Sequence, residues 1–211
     1  MHEPDVSINN TEETKEEKKT SSLEKARKAR MELYDWIQCI VTALICGVLI
    51  FVFLGRTIGV DGRSMEVTLL NNDRVIVLNA YYTPQNGDII VFKPPHSRFD
   101  NMPLVKRVIA TEGQTLEIDF ENSEVIVDGV ALYEPYVHTM TTSKHGFEGP
   151  VTIKPGHVFV MGDNRTASTD SRDSDVGQID TRYILGKVYF ILIPGESFGL
   201  PRDWGRFGFV H

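Results

Sequence analysis

Between Trp36 and Leu54 the chain runs for 19 residues without a charged side chain, WIQCIVTALICGVLIFVFL. A helix of that length, at about 1.5 Å per residue, approaches the roughly 30 Å of a bilayer's hydrocarbon core. Asp35 and Arg56 bracket the run, and Trp36 stands where an interfacial aromatic belongs. A core helix of a soluble protein rarely excludes charge for so long. A cleaved signal peptide has a shorter apolar region followed by small residues at the cut, whereas this run ends in Phe51-Val52-Phe53-Leu54-Gly55-Arg56. The sequence therefore predicts an uncleaved transmembrane helix over residues 36–54, contacting the lipid bilayer.

This run divides the chain into unlike parts. Residues 1–35 are rich in Glu, Lys, Ser and Thr and poor in large apolar residues, which predicts a largely disordered tail, with a basic helix from Leu23 to Tyr34 leading into the span. Lys18, Lys19, Lys25, Arg27, Lys28 and Arg30 precede the span closely, against Arg56, Arg63 and Arg74 after it. The positive-inside bias then puts the tail in the cytoplasm and residues 55–211 outside. Both cysteines, Cys39 and Cys46, fall inside the span, so no disulfide framework or four-ligand zinc site is available. The net charge of −7 argues against a nucleic-acid partner.

After the span the pattern changes to short β-branched and aromatic runs between turn signals: 74–78, 88–92, 104–110, 115–118, 124–127, 157–161 and 187–193. Asp128-Gly129 reads as a tight hairpin turn. A short helical turn is expected near Asp180 to Tyr183, and Val137 to Pro150 reads as a long loop. The exported part is predicted to be mainly β.

Three segments in it carry chemistry. They are Gly62-Arg63-Ser64-Met65-Glu66-Val67-Thr68-Leu69, the strand Leu104-Val105-Lys106-Arg107-Val108-Ile109-Ala110, and the polar turn from Gly162-Asp163-Asn164-Arg165 through Ser168-Thr169-Asp170-Ser171-Arg172. A serine hydroxyl attacks only when a base takes its proton. The six histidines lack an orienting motif. Lys106 lies in the row Leu104, Lys106, Val108, Ala110 on one strand face, where desolvation penalises an ammonium and lowers its pKa. A lysine near 10.4 is a base only after a downward shift of several units, each about 1.4 kcal/mol. The alternative for Lys106 is a snorkelling edge-strand lysine, and for the third segment a solvated polar loop.

In order and spacing these segments resemble the type I signal peptidases. The family's SMxPTL box corresponds to Ser64-Met65-Glu66-Val67-Thr68-Leu69, its KR strand to Lys106-Arg107, and its GDNRxxSxDSR box is matched at every fixed position from Gly162 to Arg172. The resemblance implies a signal-peptidase-like antiparallel β-sheet catalytic domain behind one N-terminal transmembrane helix. It implies a serine endopeptidase that removes signal peptides from exported preproteins after small-x-small (Ala-x-Ala) sites. In it Ser64 is the nucleophile and Lys106 the general base. Ser168 hydrogen-bonds Lys106, and Asp170 pairs with Arg172 to brace the turn. Neither a metal nor another cofactor is implied.

Two positions depart from the family pattern. Gly62 stands where part of the family has a serine whose hydroxyl helps to bind the oxyanion, and Val67 replaces the proline of the first box. An extended substrate presents alternate side chains to one side. Val60, Met65, Leu69 and Val105 are the apolar residues expected to line its pockets, with plain core as their other reading. The aromatic stretch from Phe198 to Val210 either packs on the domain or meets lipid headgroups. Two other classes share part of the pattern: the soluble, DNA-binding, self-cleaving SOS repressors, which use a Ser-Lys pair on a related β-domain, and an anchored β-domain with a decayed site.

Overall fold

In the computed structural model, which describes residues 9–79, 82–94, 102–196 and 201–210, the charge-free run belongs to one helix, α1 (Asn9–Leu54). Residues 27–49 of it are long and apolar enough to cross a membrane, and that stretch is not covered by protein. Leu44 is 67% exposed and Ile40 63%, so most of these apolar surfaces is left uncovered. The helix starts well before the stretch expected to be helical, within residues read as disordered. Glu, Lys, Ala and Leu between Glu12 and Ala29 are strong helix formers, and propensity summed over that window favours continuation. Residues 1–8 of the tail lie outside the described residues, as do 197–200 of the aromatic stretch.

The chain divides into two units, residues 1–52 and 53–211. Among its described residues the second holds twelve strands: β1 (Gly55–Gly59), β2 (Arg74–Leu78), β3 (Ile89–Phe92), β4 (Leu104–Thr111), β5 (Thr115–Asp119), β6 (Glu124–Val127), β7 (Val130–Ala131), β8 (Val151–Thr152), β9 (His157–Met161), β10 (Ile179–Asp180), β11 (Ile184–Ile193) and β12 (Gly208–Phe209). The larger sheet has the order β1-β2-β11-β3-β4-β9-β10, with β12 added to β11; the smaller has the order β7-β6-β5-β8. Every pairing described is antiparallel, and the unit is mainly β as the sequence predicts. Asp128-Gly129 joins β6 to β7, and Thr181–Tyr183 form a 3-10 turn capped by the Asp180 carboxylate.

Peripheral strands alternate: Val75 and Val77 of β2, and Leu116 and Ile118 of β5, point inward between more exposed neighbours. The central strands do not. All four residues of β3 and six of the eight in β4 are buried, because apolar clusters cover both faces. β4 supplies all three clusters: Val105 joins Val60, Met65, Leu69 and Val75; Val108 joins Ile90, Phe92 and Val160; Ile109 and Ala110 join Leu116, Phe159 and Met161. A register irregularity against β9 between Val108 and Ala110 breaks the alternation there, so Ala110 does not continue the row of Leu104 and Val108. Burial of this kind is worth about 25 cal/mol per Å² of apolar surface, which makes β4 a rigid support for what it carries.

Candidate active site

The segment that carries Ser64 is fixed at both ends. Val60 N–H donates to Asp73 O and Asn72 N–H to Val60 O, each at 2.8 Å. Leu69 N–H donates to Met65 O at 2.8 Å, which closes a turn of the chain between these two apolar residues. Both enter the core, with Met65 1% and Leu69 0% exposed. Their burial fits the plain-core reading of these two side chains, which hold the loop from beneath. Val60 and Val105 belong to the same cluster, 5% and 8% exposed. The buried Asp73 accepts from Leu70 N–H at 2.8 Å and from both terminal nitrogens of Arg206, which also donates to Thr68 O. The C-terminal segment thereby braces the loop, and Phe190 meets Phe207 and Phe209 edge-on. The rings of Phe207, Phe209 and Trp204 nevertheless stay 52–72% exposed.

Lys106 lies opposite Ile90 in the β3–β4 ladder and is 3% exposed. Its Nζ donates to Ser64 Oγ at 2.7 Å and to Val105 O at 2.9 Å. Burial lowers the amine from its ordinary 10.5 to about 8, with the carboxylates of Asp170 and Asp163 opposing the fall. A substantial neutral fraction therefore exists at mildly alkaline pH. A serine hydroxyl in contact with a neutral amine can lose its proton as it attacks a carbonyl.

The third segment encloses this pair. Asp170 and Arg172 form a fully buried two-point ion pair at 2.8 and 2.9 Å, and Asp170 also accepts Gly162 N–H at 3.0 Å. Burial pushes the Asp170 carboxyl up, but Arg172 and the Gly162 N–H outweigh it and hold the group below the usual carboxylate range. Ser168 is buried; its hydroxyl lies near Asp170, where it helps to hold the carboxylate ionised, but it makes no well-formed hydrogen bond among the described residues. The bond to Lys106 that the resemblance implies is therefore not made in this structure, where Nζ serves Ser64 and Val105 instead. Gly162 passes so close to Ser64 O and the Ser168 side chain that a Cβ would overlap both. Gly62 has φ +98°, a backbone that L side chains rarely adopt, although the space beside it is open. The position thus favours glycine over serine for conformational rather than steric reasons. Val67 is 54% exposed.

Several linking residues escaped the sequence reading. Asp163 accepts two bonds from Arg107, at 2.9 and 2.8 Å, and one from Thr68 Oγ1 at 2.6 Å. One buried carboxylate thus joins all three segments. Arg107 also lies 3.9 Å from the centre of the Tyr136 ring. Arg165, fully buried, pairs with Glu134 and donates to Thr141 Oγ1 and Gly162 O. Arg172 reaches Ser143 O. Residues 134–143, which enter the stretch read as a loop, are therefore clamped onto the third segment. The available signal was the presence of three arginines beside the candidate residues, since a buried guanidinium requires a carboxylate.

A hydroxyl touching a desolvated amine on a rigid antiparallel sheet opens serine-type hydrolysis to this site. A family model described as signal peptidase, peptidase S26, matches residues 33–193. Signal peptidase I of Bacillus amyloliquefaciens is 33% identical over 192 residues, covering 86% of this chain and 95% of that one. Signal peptidase I of Bacillus licheniformis is 30% identical over 181 residues, covering 81% and 94%. Signal peptidase I of Mycobacterium tuberculosis is 31% identical over 227 residues, covering 82% and 77%. A crystal structure of a signal peptidase I from Enterococcus faecalis is similar with a TM-score of 0.42 at 28% identity, over 50% of this chain and 97% of that one. By class the protein is a serine endopeptidase. The chain belongs to the signal peptidase family, peptidase S26.

Proposed function

We propose that the site cleaves signal peptides from exported preproteins after small-x-small sequences, with Ser64 as nucleophile and Lys106 as general base. The observation that carries this reading is the 2.7 Å contact between Ser64 Oγ and the Nζ of a lysine that is 3% exposed. In its neutral form Lys106 takes the Oγ proton as Oγ attacks the scissile carbonyl. The resulting ammonium then protonates the leaving amine, and the acyl group stays on Ser64. Lys106, neutral again, deprotonates a water that releases the acyl group, and the serine regains its proton. Ser64 N–H is one donor to the oxyanion, and Gly62 contributes no hydroxyl.

The Asp170–Arg172 pair supports the turn bearing Ser168, whose buried hydroxyl is available to the ammonium once Ser64 Oγ has been acylated. Val60, Met65, Leu69 and Val105, which share one apolar cluster, are the residues offered to the small side chains of a substrate. With α1 spanning the bilayer, the basic residues before Trp36 assign the tail to the cytoplasm and the β unit to the outer side.

The test is preprotein cleavage by the full chain in detergent. Ser64→Ala is expected to abolish cutting while circular dichroism is unchanged, and Lys106→Ala to do the same. Near-normal activity in Lys106→Ala refutes lysine as the base.

A further inference from the structure

Asn164 sits between Asp163, which joins the three segments, and Arg165, which clamps the 134–143 segment, and it has a different set of contacts. Its backbone N–H donates to Ser64 O at 3.0 Å. Its side-chain Nδ2 donates to Arg63 O at 3.2 Å. One residue thus grips the carbonyls on both sides of the candidate nucleophile. Its amide is oriented by two hydroxyls, since Thr139 Oγ1 and Thr166 Oγ1 both donate to Oδ1, at 3.4 and 3.2 Å. Thr139 Oγ1 is free to donate because its lone pair already accepts Arg165 N–H at 2.8 Å. With Oδ1 occupied by donors, Nδ2 is the atom that faces the Arg63 carbonyl. Asn164 is 8% exposed, so water competes little for these bonds.

The geometry of the peptide unit turns this grip into a constraint on catalysis. The Arg63–Ser64 unit is planar and trans, so its C=O and N–H point in opposite directions. Fixing the Arg63 oxygen therefore fixes the direction of Ser64 N–H. That N–H is the oxyanion donor of the reading above, on which this inference rests. Gly62 supplies no side-chain donor, so the aim of this single N–H carries more weight than in a site with a neighbouring hydroxyl.

We infer that Asn164 is a positioning residue for the oxyanion hole, orienting Ser64 N–H through the Arg63 carbonyl, and that Thr139 orients Asn164 in turn. Glu66 N–H also donates to Arg63 O at 3.2 Å, so loss of the Asn164 bond loosens the plane without freeing it. The expected effect is thus smaller than the hundred- to thousandfold that removal of an oxyanion donor costs.

The test compares Asn164→Asp with the wild-type full chain in detergent. The substitution keeps the shape of the side chain and removes the N–H donor. Expected is a fall in kcat of about tenfold to a hundredfold, with KM within twofold and the midpoint of the pH–rate profile unmoved. The Kd of a signal peptide for Ser64→Ala is expected to equal that for Ser64→Ala/Asn164→Asp. Thr139→Val leaves Asn164 in place and is expected to lower kcat by about threefold to tenfold; it carries the test if Asn164→Asp does not fold. A kcat within twofold of wild type overturns the inference, as does a loss expressed in KM or Kd, or a displaced pH midpoint. Cleavage by Ser64→Ala would instead overturn the nucleophile assignment itself.

Discussion

Replacing Lys106 by methionine isolates the cost of burying its amine, because methionine keeps most of the volume and cannot ionise. The amine ionises near 10.5 when freely solvated, as in the unfolded chain, and near 8 in the folded protein. Its folded pKa is depressed, so below pH 8 the ammonium is buried at a cost. Between pH 8 and 10.5 the unfolded chain binds the proton that the folded protein has lost, and stability rises with pH through that window. At about 1.36 kcal/mol per pKa unit, the wild type gains about 2.5 kcal/mol relative to Lys106→Met between pH 6 and pH 10. The hydrogen bonds to Ser64 Oγ and Val105 O that methionine lacks shift both ends of the comparison alike. Their loss therefore cancels from the difference, as does the titration of other groups. Urea unfolding in detergent, followed by the fluorescence of Trp204, the tryptophan of the β unit, measures the gap at each pH. A gap that stays within about 0.5 kcal/mol across that range refutes a depressed Lys106.

With Lys106 as the proposed base, the same ionisation governs the rate. With the amine near 8, about 1% is neutral at pH 6 and about 10% at pH 7, so kcat/KM is expected to climb roughly tenfold per unit below pH 8; a flat profile down to pH 5 refutes it. Asp163→Ala leaves Arg107 buried without its carboxylate and is expected to cost about 3–5 kcal/mol in urea unfolding; a loss below about 1 kcal/mol shows that the pair does not hold the segments together. Gly162→Ala drives a methyl group into Ser64 O and the Ser168 side chain, and is expected to lower kcat about a hundredfold in a chain that still folds; undiminished activity refutes the close approach.

What the sequence made legible depended on how local the cause was. β2 and β6 were readable within their own five and four residues, from their β-branched runs and, for β6, from the Asp128-Gly129 turn. β4 was readable from its apolar run. β1, Gly-Arg-Thr-Ile-Gly, has neither alternation nor strong β formers throughout, and it is a strand because β2 supplies its partner. The two-residue strands β8, β10 and β12 carry no local signal, and β11 begins three residues earlier than its densest apolar stretch. At the site, motif spacing pointed to Ser64 and Lys106 but not to what holds them. The contact of Thr68 with Asp163 spans 95 residues, that of Arg107 with Asp163 spans 56, and that of Asp73 with Arg206 spans 133. For Met65 and Leu69 the sequence left two readings open, because an apolar residue near a nucleophile suits a substrate pocket and a loop anchor equally well.

The carboxylate of Asp163 also bears on timing during synthesis. The Ser64–Lys106 contact closes a loop of 42 residues, and the segment carrying Asp163 emerges from the ribosome more than fifty residues after the lysine. A chain lacking that segment has Lys106 in water, protonated at neutral pH, with no amine able to activate Ser64. With Ser64 and Lys106 in the roles proposed, hydrolytic competence therefore arises only when the larger sheet closes, with β9 laid against β4. On that reading restraint during synthesis lies in the order of folding, and the unfinished chain is its own safeguard.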